Sequence, residues 1–205
     1  MEYIVKKINQ KSEIEQCEKF SINQYMWNSI QKPKMHGWMA YLDNKGLYVK
    51  MICEEQEPKR VFKQHRDRVC EDSAAEVFLA FTEENEELTN DCMYINFEFN
   101  ANGALYAKYG KGRKNRQFLS DDEYKMVEIK SVIYEKQWEL EFLIPELFLK
   151  KVCDWEKIKS GKKFYCNFYK ISENEEIEHY GSYAPIDSPT PNFHLPVCFA
   201  EAMIE

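Results

Sequence analysis

The sequence predicts an all-β protein, an antiparallel β-sandwich with a few short helices, in one domain spanning residues 1–205. Segment after segment alternates apolar and polar residues with a period of two, the signature of strands with one greasy face. Short turn signals separate these segments, and only short helical stretches interrupt them. No repeat, low-complexity tract or break in composition divides the chain, and the seven glycines and seven prolines leave little for flexible linkers.

The elements follow in order. Ser12 with Glu15 fits a capping box and predicts a short helix over about 13–19. "DNKG" (Asp43–Gly46) is a turn, and "KGLYVKMICE" then alternates Leu47, Val49, Met51 and Cys53 against Tyr48 and Lys50. "AAEVFLAF" (Ala74–Phe81) is apolar on both faces except at Glu76, as a central strand should be. "TEENEELTND" (Thr82–Asp91) is a solvated acidic loop. "YINFEFN" sets Ile95, Phe97 and Phe99 against Tyr94, Asn96, Glu98 and Asn100. "NANG" (Asn100–Gly103) is a tight turn that folds "ALYAKYG" back as a hairpin, and "GKGRKNRQ" (Gly110–Gln117) is a basic loop. "KMVEIKSVIY" and "WELEFLIP" are further strands, Pro145 can open a helix through "ELFLKK", and "KSGKK" (Lys159–Lys163) turns the chain again. "FYCNFYKI" places Phe164, Cys166 and Phe168 on one face and Tyr165, Asn167 and Tyr169 on the other. The tail "PIDSPTPNFHLP" holds four prolines and must be irregular.

Bulk properties remove several function classes. A net charge of −7 argues against nucleic acid and anionic membrane surfaces as partners. No stretch approaches the roughly 20 apolar residues of a membrane span. "MEYIVKKINQ" has no basic start followed by an apolar region, so a secretion signal is not expected. The seven cysteines are odd in number, lack any C-x-x-C and lie partly in apolar runs. They read as structural thiols of a reducing compartment, and a cytoplasmic location is the expectation. The four histidines have no metal-ligand spacing, so no zinc site is expected.

An ordered set of motifs carries a family resemblance over about residues 35–205. They are "VCEDSAAEVFLAF", "YINFEFNANG", "GKGRKNR", "WELEFLIP", "NFYKI" and "YGSYAPIDSPTPNFHLPVCFAEAMI". Together they resemble the family 9-like carbohydrate-binding domains of the DOMON-like superfamily. The resemblance implies a jelly-roll-like sandwich of two antiparallel sheets and a non-catalytic domain that binds a mono- or oligosaccharide. The sugar would stack its apolar face on aromatic rings and offer its hydroxyls to polar side chains on an exposed sheet face. Two family tryptophan positions read Cys70 and Tyr183 here, and the closing F-G reads Phe199-Ala200. Tyrosine can stack a sugar; cysteine cannot.

The candidate ligand-binding residues follow. Tyr94, Asn96 and Glu98 share one strand face, and Asn167 and Tyr169 share the polar face of a later strand. If those strands are neighbours, the groups form one hydroxyl-binding surface; the alternative is a polar layer satisfied internally. Glu76, at the family's Glu position, needs a cation or several donors, supplied by Arg113 or Arg116 or by a sugar hydroxyl. Arg113 and Arg116, with Lys111 and Lys114, form the one dense positive cluster and suit an acidic sugar or phosphate, or else a solvated loop. Tyr183 holds the aromatic-clamp position. Trp27 and Trp38 could add a second wall, Trp138 belongs to the core, and His194 reads as a packing anchor. Asp72 and nearby turn carboxylates could hold structural calcium, although no D-x-D-x-D-G loop is present. No other cofactor is expected. The competing functions are a sandwich that has lost its ligand and acts as a scaffold, a glycosidase using Glu98, Glu139 and Glu141, and a haem binder using Met and His.

Overall fold

In the computed structural model, which describes residues 1–83 and 85–205, the period-two segments become strands of two packed sheets. In chain order they are β1 (Glu2–Val5), β2 (Lys7–Ile8), β3 (Lys19–Ile22), β4 (Gln24–Tyr25), β5 (Lys34–Leu42), β6 (Gly46–Glu54), β7 (Ala74–Phe81) and β8 (Met93–Asn100). They continue with β9 (Leu105–Lys111), β10 (Asn115–Phe118), β11 (Glu128–Ile133), β12 (Trp138–Pro145), β13 (Phe164–Ser172), β14 (His179–Ser182) and β15 (Ala200–Ile204). Three short helices, α1 (Asp121–Met126), α2 (Glu146–Val152) and α3 (Trp155–Lys159), lie between strands. One sheet runs β1-β15-β13-β7-β8-β9-β10, with β14 pairing β13 and β4; the other runs β11-β12-β6-β5-β2, with β3 on β5. Pairing is antiparallel apart from β1 on β15 and β2 on β5.

The apolar faces meet between the sheets. Ile95, Phe97 and Phe99 of β8 join Val77 and Leu79 of β7 and Phe164, Cys166 and Phe168 of β13 in one cluster. Val49 and Met51 of β6 and Leu140 and Phe142 of β12 complete it from the other sheet, with Phe99 and Phe142 ring centroids 4.5 Å apart. Each such aliphatic or aromatic side chain contributes about 1.5–3 kcal/mol by leaving water. The outer face of the larger sheet is covered in part by the Pro-rich tail: Phe193 and Phe199 pack on Phe78, Tyr94, Tyr169 and Tyr180. That cover is why β7 is buried on both faces.

A buried polar clasp joins the sheets. Lys170 of β13, fully buried, lies 3.2 Å from the Glu55 carboxylate that follows β6. Lys170 also donates to Ser73 Oγ and meets His179 Nε2 at 3.1 Å. Glu55 accepts from Ser73 Oγ at 2.6 Å and Trp138 Nε1 at 2.9 Å. Burial alone would raise the Glu55 carboxyl, but Lys170, Ser73 and Trp138 hold it below the ordinary range.

Several elements differ from the sequence expectation. Residues Lys11–Gln16 form a 3-10 turn without a side-chain cap, because Glu13, not Ser12, reaches back to the Asn9 amide at 3.0 Å. A full capping box forms instead at Ser120 and Glu123, opening α1. Pro145 ends β12 and sits at the N-cap of α2 rather than inside it. The basic loop is mostly a hairpin: β10 returns along β9. Glu84, in the acidic loop, lies outside the described residues.

Candidate ligand cleft on the outer sheet face

A cleft of ≈ 250 Å³ opens over the outer face of β7, β8 and β9, where the tail leaves the sheet uncovered. Strand register builds its floor. Glu76 lies directly opposite Glu98, and Glu98 opposite Tyr106, so three outward side chains form one row across three strands. The next row along places Phe78 opposite Asn96. Directly opposed residues bring their Cβ atoms to about 4.5–5.5 Å, so the two carboxyls are immediate neighbours.

Both carboxyls are buried, Glu76 at 2% and Glu98 at 6% exposure. Glu98 Oε1 accepts from Asn96 Nδ2 at 2.8 Å, and Asn96 Oδ1 accepts from Arg116. The Arg116 guanidinium lies 4.6 Å from the Tyr94 ring centroid. Burial pushes the Glu98 carboxyl up to about 8, against the opposing pull of Arg116. Burial first, then the charges of Glu98 and Glu173, hold the Glu76 carboxyl well above the usual range. Glu76 Oε2 has no hydrogen-bond partner among the described residues.

The walls come from four separate segments. Arg113, in the β9–β10 turn, donates to Asn192 Oδ1 of the tail at 3.1 Å. His194 meets the Tyr94 hydroxyl at 3.3 Å through Nδ1 and tilts over Phe78 at 5.1 Å between ring centroids. Burial, with Arg116 and Arg113 nearby, depresses the His194 imidazole to about 3, so it is neutral. On the far side Cys70 Sγ lies 3.4 Å from Glu173 Oε2, and Arg68 pairs with Glu71 at 2.9 Å and Glu173 at 3.7 Å. Tyr180 closes that side, backed by Trp27 at 5.6 Å between ring centroids.

The residues singled out in the sequence divide into three groups. Glu76, Glu98 and Arg113 line the cleft. Asn96, Arg116 and Tyr94 stand behind it as a polar support for Glu98 and His194. Asn167, Tyr169 and Tyr183 are not in the cleft. Asn167 is fully buried and bonds the backbone of Ala184 and Phe168. Tyr169 lies under the tail, stacked 4.1 Å from Phe193, its hydroxyl donating to the Phe193 carbonyl at 3.3 Å. Tyr183 turns away from the outer face to pack on Tyr3, Phe20 and Phe168 of the interior. The expected pairing of Glu76 with Arg113 or Arg116 does not form: Arg113 bonds Asn192, and Arg116 bonds Asn96.

Other expectations shift too. Asp72, a calcium candidate, has both oxygens taken by the amides of Val61 and Phe62 and by Asn100 Nδ2. Among the described residues no three metal-ligating side chains converge. Glu139 and Glu141 belong to β12 in the opposite sheet, bound to Lys50 and to Tyr48, so neither can act with Glu98. Trp38 lies on that other sheet as well, whereas Trp138 is in the core. Tyr106, Glu173, Arg68 and Asn192 were not foreseen. Tyr106 was within reach, since counting register through the "NANG" turn sets it opposite Glu98; the others arrive from segments with no local pattern.

A two-sheet sandwich that keeps a polar, ring-bordered cleft on one outer sheet face defines a class of ligand-binding β-domains. The model of carbohydrate-binding family 9 matches residues 6–204, and the chain belongs to that family. Membership makes it a carbohydrate-binding domain, as the motif order implied. No curated protein matches the chain. Among solved structures, a protein from Bacteroides uniformis ATCC 8492 assigned as carbohydrate-binding shares 24% identity at a TM-score of 0.80, covering 100% of this chain and 99% of its own. A family 9 carbohydrate-binding module from Caldicellulosiruptor kristjanssonii, solved with cellotriose, shares 12% identity at a TM-score of 0.66, covering 100% and 94%. The same organism's module with glucose gives 12% and 0.65, covering 100% and 96%. At these identities the likeness establishes the fold.

Proposed function

We propose that the cleft over Glu76 and Glu98 binds a small saccharide and performs no chemistry on it. The observation that carries this reading is Glu76, which lines the cleft and whose Oε2 is buried without a donor among the described residues. A buried carboxyl oxygen left unpaired costs free energy, and a sugar hydroxyl is a donor of the right size. Tyr106 and Tyr180 line the cleft, and aromatic side chains suit the apolar side of a pyranose. Asn192 and Arg113 add groups for further hydroxyls. The structural relatives that hold cellotriose and glucose support the same ligand class.

Trp27, packed on Tyr180 and Phe193, is a natural reporter. Titrating the protein with glucose, cellotriose and a wider panel of neutral and acidic sugars should quench its fluorescence saturably, with dissociation constants of roughly micromolar to millimolar. Glu98→Gln should weaken that binding about tenfold or more. A flat response across the panel favours a scaffold role and removes the sugar-binding reading; hydrolysis of an aryl-glycoside panel removes the non-catalytic one.

A further inference from the structure

The charge of Arg116 reaches Glu98 and that of Lys170 reaches Glu76, but neither cation is bonded to a cleft carboxyl. Among the described residues neither Glu76 nor Glu98 forms an ion pair, although three arginines stand near the cleft. Each is engaged elsewhere: Arg68 with Glu71 and Glu173, Arg113 with Asn192, and Arg116 with Asn96 and the Tyr94 ring. Lys170, the ammonium on the neighbouring strand, is held by Glu55 and Ser73. Two directly opposed, buried carboxyls that line the cleft, one with an unpartnered oxygen, therefore form a site that a ligand's cation would complete.

Resting on the sugar-binding reading of this cleft, we infer that its preferred ligand is an amino sugar, its primary ammonium seated between Glu76 and Glu98. The ammonium supplies three donors and one positive charge to two carboxyls that form no ion pair among the described residues, one of them with an unpartnered oxygen. The remaining hydroxyls and ring fall to Asn192, Arg113 and the flanking tyrosines. An N-acetylated amine has no charge and only one N–H, and a neutral sugar offers only hydroxyls, so both lose the matching interaction.

The groups around the pair set how protons respond. Glu76 is faced by Glu98 on β8, by Tyr169 and Lys170 on β13, and by Glu173 and Cys70 at the wall. Glu98 is faced by Glu76 on β7, by Tyr106 and Lys108 on β9, by Arg116 on β10, by Glu173 and Cys70 at the wall, and by Tyr94 and Asn96 on its own strand. Burial raises both carboxyls above the ordinary range, Glu98 to about 8. An ammonium favours their ionised forms, so its binding releases protons to the buffer; binding of a neutral sugar does not.

The test is calorimetric titration of the full chain with the 2-amino-2-deoxy forms of glucose, galactose and mannose, each beside its N-acetyl and hydroxy counterparts. The titrations are repeated in two buffers of different ionisation enthalpy. At least one amine should bind about tenfold or more tightly than both counterparts, with a buffer-dependent heat that reports proton release. Glu76→Gln and Glu98→Gln should each erase that preference, circular dichroism confirming that both variants fold. Neutral sugars that bind as tightly as their amines, or a preference untouched by both substitutions, overturn this inference and leave the sugar-binding reading intact. Failure of every sugar to bind overturns both, and the comparison among sugars needs only the unaltered protein.

Discussion

Glu98 is the residue whose energetics most clearly separate a binding role from a packing role. Its carboxyl rises from an ordinary 4.5 to about 8, chiefly through burial. The sign follows from proton linkage: between those values the folded state holds a proton that the unfolded state has lost. Stability is therefore full below about 4.5 and declines as the pH climbs towards about 8. Melting temperatures of the unaltered protein should fall across that window, and Glu98→Gln should flatten the fall; an equally steep fall in the variant contradicts the assignment. Tyr106, half-buried opposite Glu98, has a lighter structural duty. Tyr106→Ala should weaken sugar binding about tenfold in a fluorescence titration while changing stability by about 1 kcal/mol or less. At this scale the sequence was half readable. Period-two alternation marks Glu98 as outward, and a lone acid in an apolar strand marks Glu76. Nothing local could show that Phe193, 24 positions further along, would cap Tyr169, or that Tyr183 would turn inward.

Among the elements, the β9–β10 hairpin does most to position the site, because it carries Arg113 in its turn and Arg116 on its return strand. Gly110 makes it possible. Its φ of +149° lies where side chains are strained, and a Cβ there would stand 2.2 Å from the Asn115 carbonyl oxygen. Gly110→Ala should cost about 3 kcal/mol or more in urea denaturation and weaken sugar binding with it, since the arginine support of Asn96 is displaced. Binding and stability that both survive would show that the hairpin is not needed for the site. Strands and turns were the most legible elements, because "NANG" and the strand patterns depend on neighbours in sequence. Helix starts were less so. Ser12–Glu15 and Ser120–Glu123 have the same S-x-x-E spacing, but only the second forms the box. At the first, Glu13 reaches Asn9 instead, and the turn stays 3-10.

For the whole molecule, the two sheets are tied together by their shared apolar core and by the Lys170–Glu55 clasp. Lys170→Met should destabilise the protein by about 3–5 kcal/mol, because it strands a buried carboxylate. The double variant with Glu55→Gln should recover part of that loss in urea denaturation, and strict additivity of the two would argue against a coupled pair. The clasp joins four distant segments and leaves no trace in the sequence. The sandwich itself was legible, since the order of its motifs mirrors the order of its strands. The tail's cover of Tyr169 on β13, which takes that ring out of the cleft, was not. The central claim is that the cleft face receives the sugar. It is tested most directly by a crystal structure of the protein grown with the tightest-binding sugar of the panel. The sugar should lie in the cleft beside Tyr106, with polar groups within about 2.6–3.2 Å of the Glu76 and Glu98 carboxyls. A sugar bound on any other face, with the cleft holding only water, would contradict it.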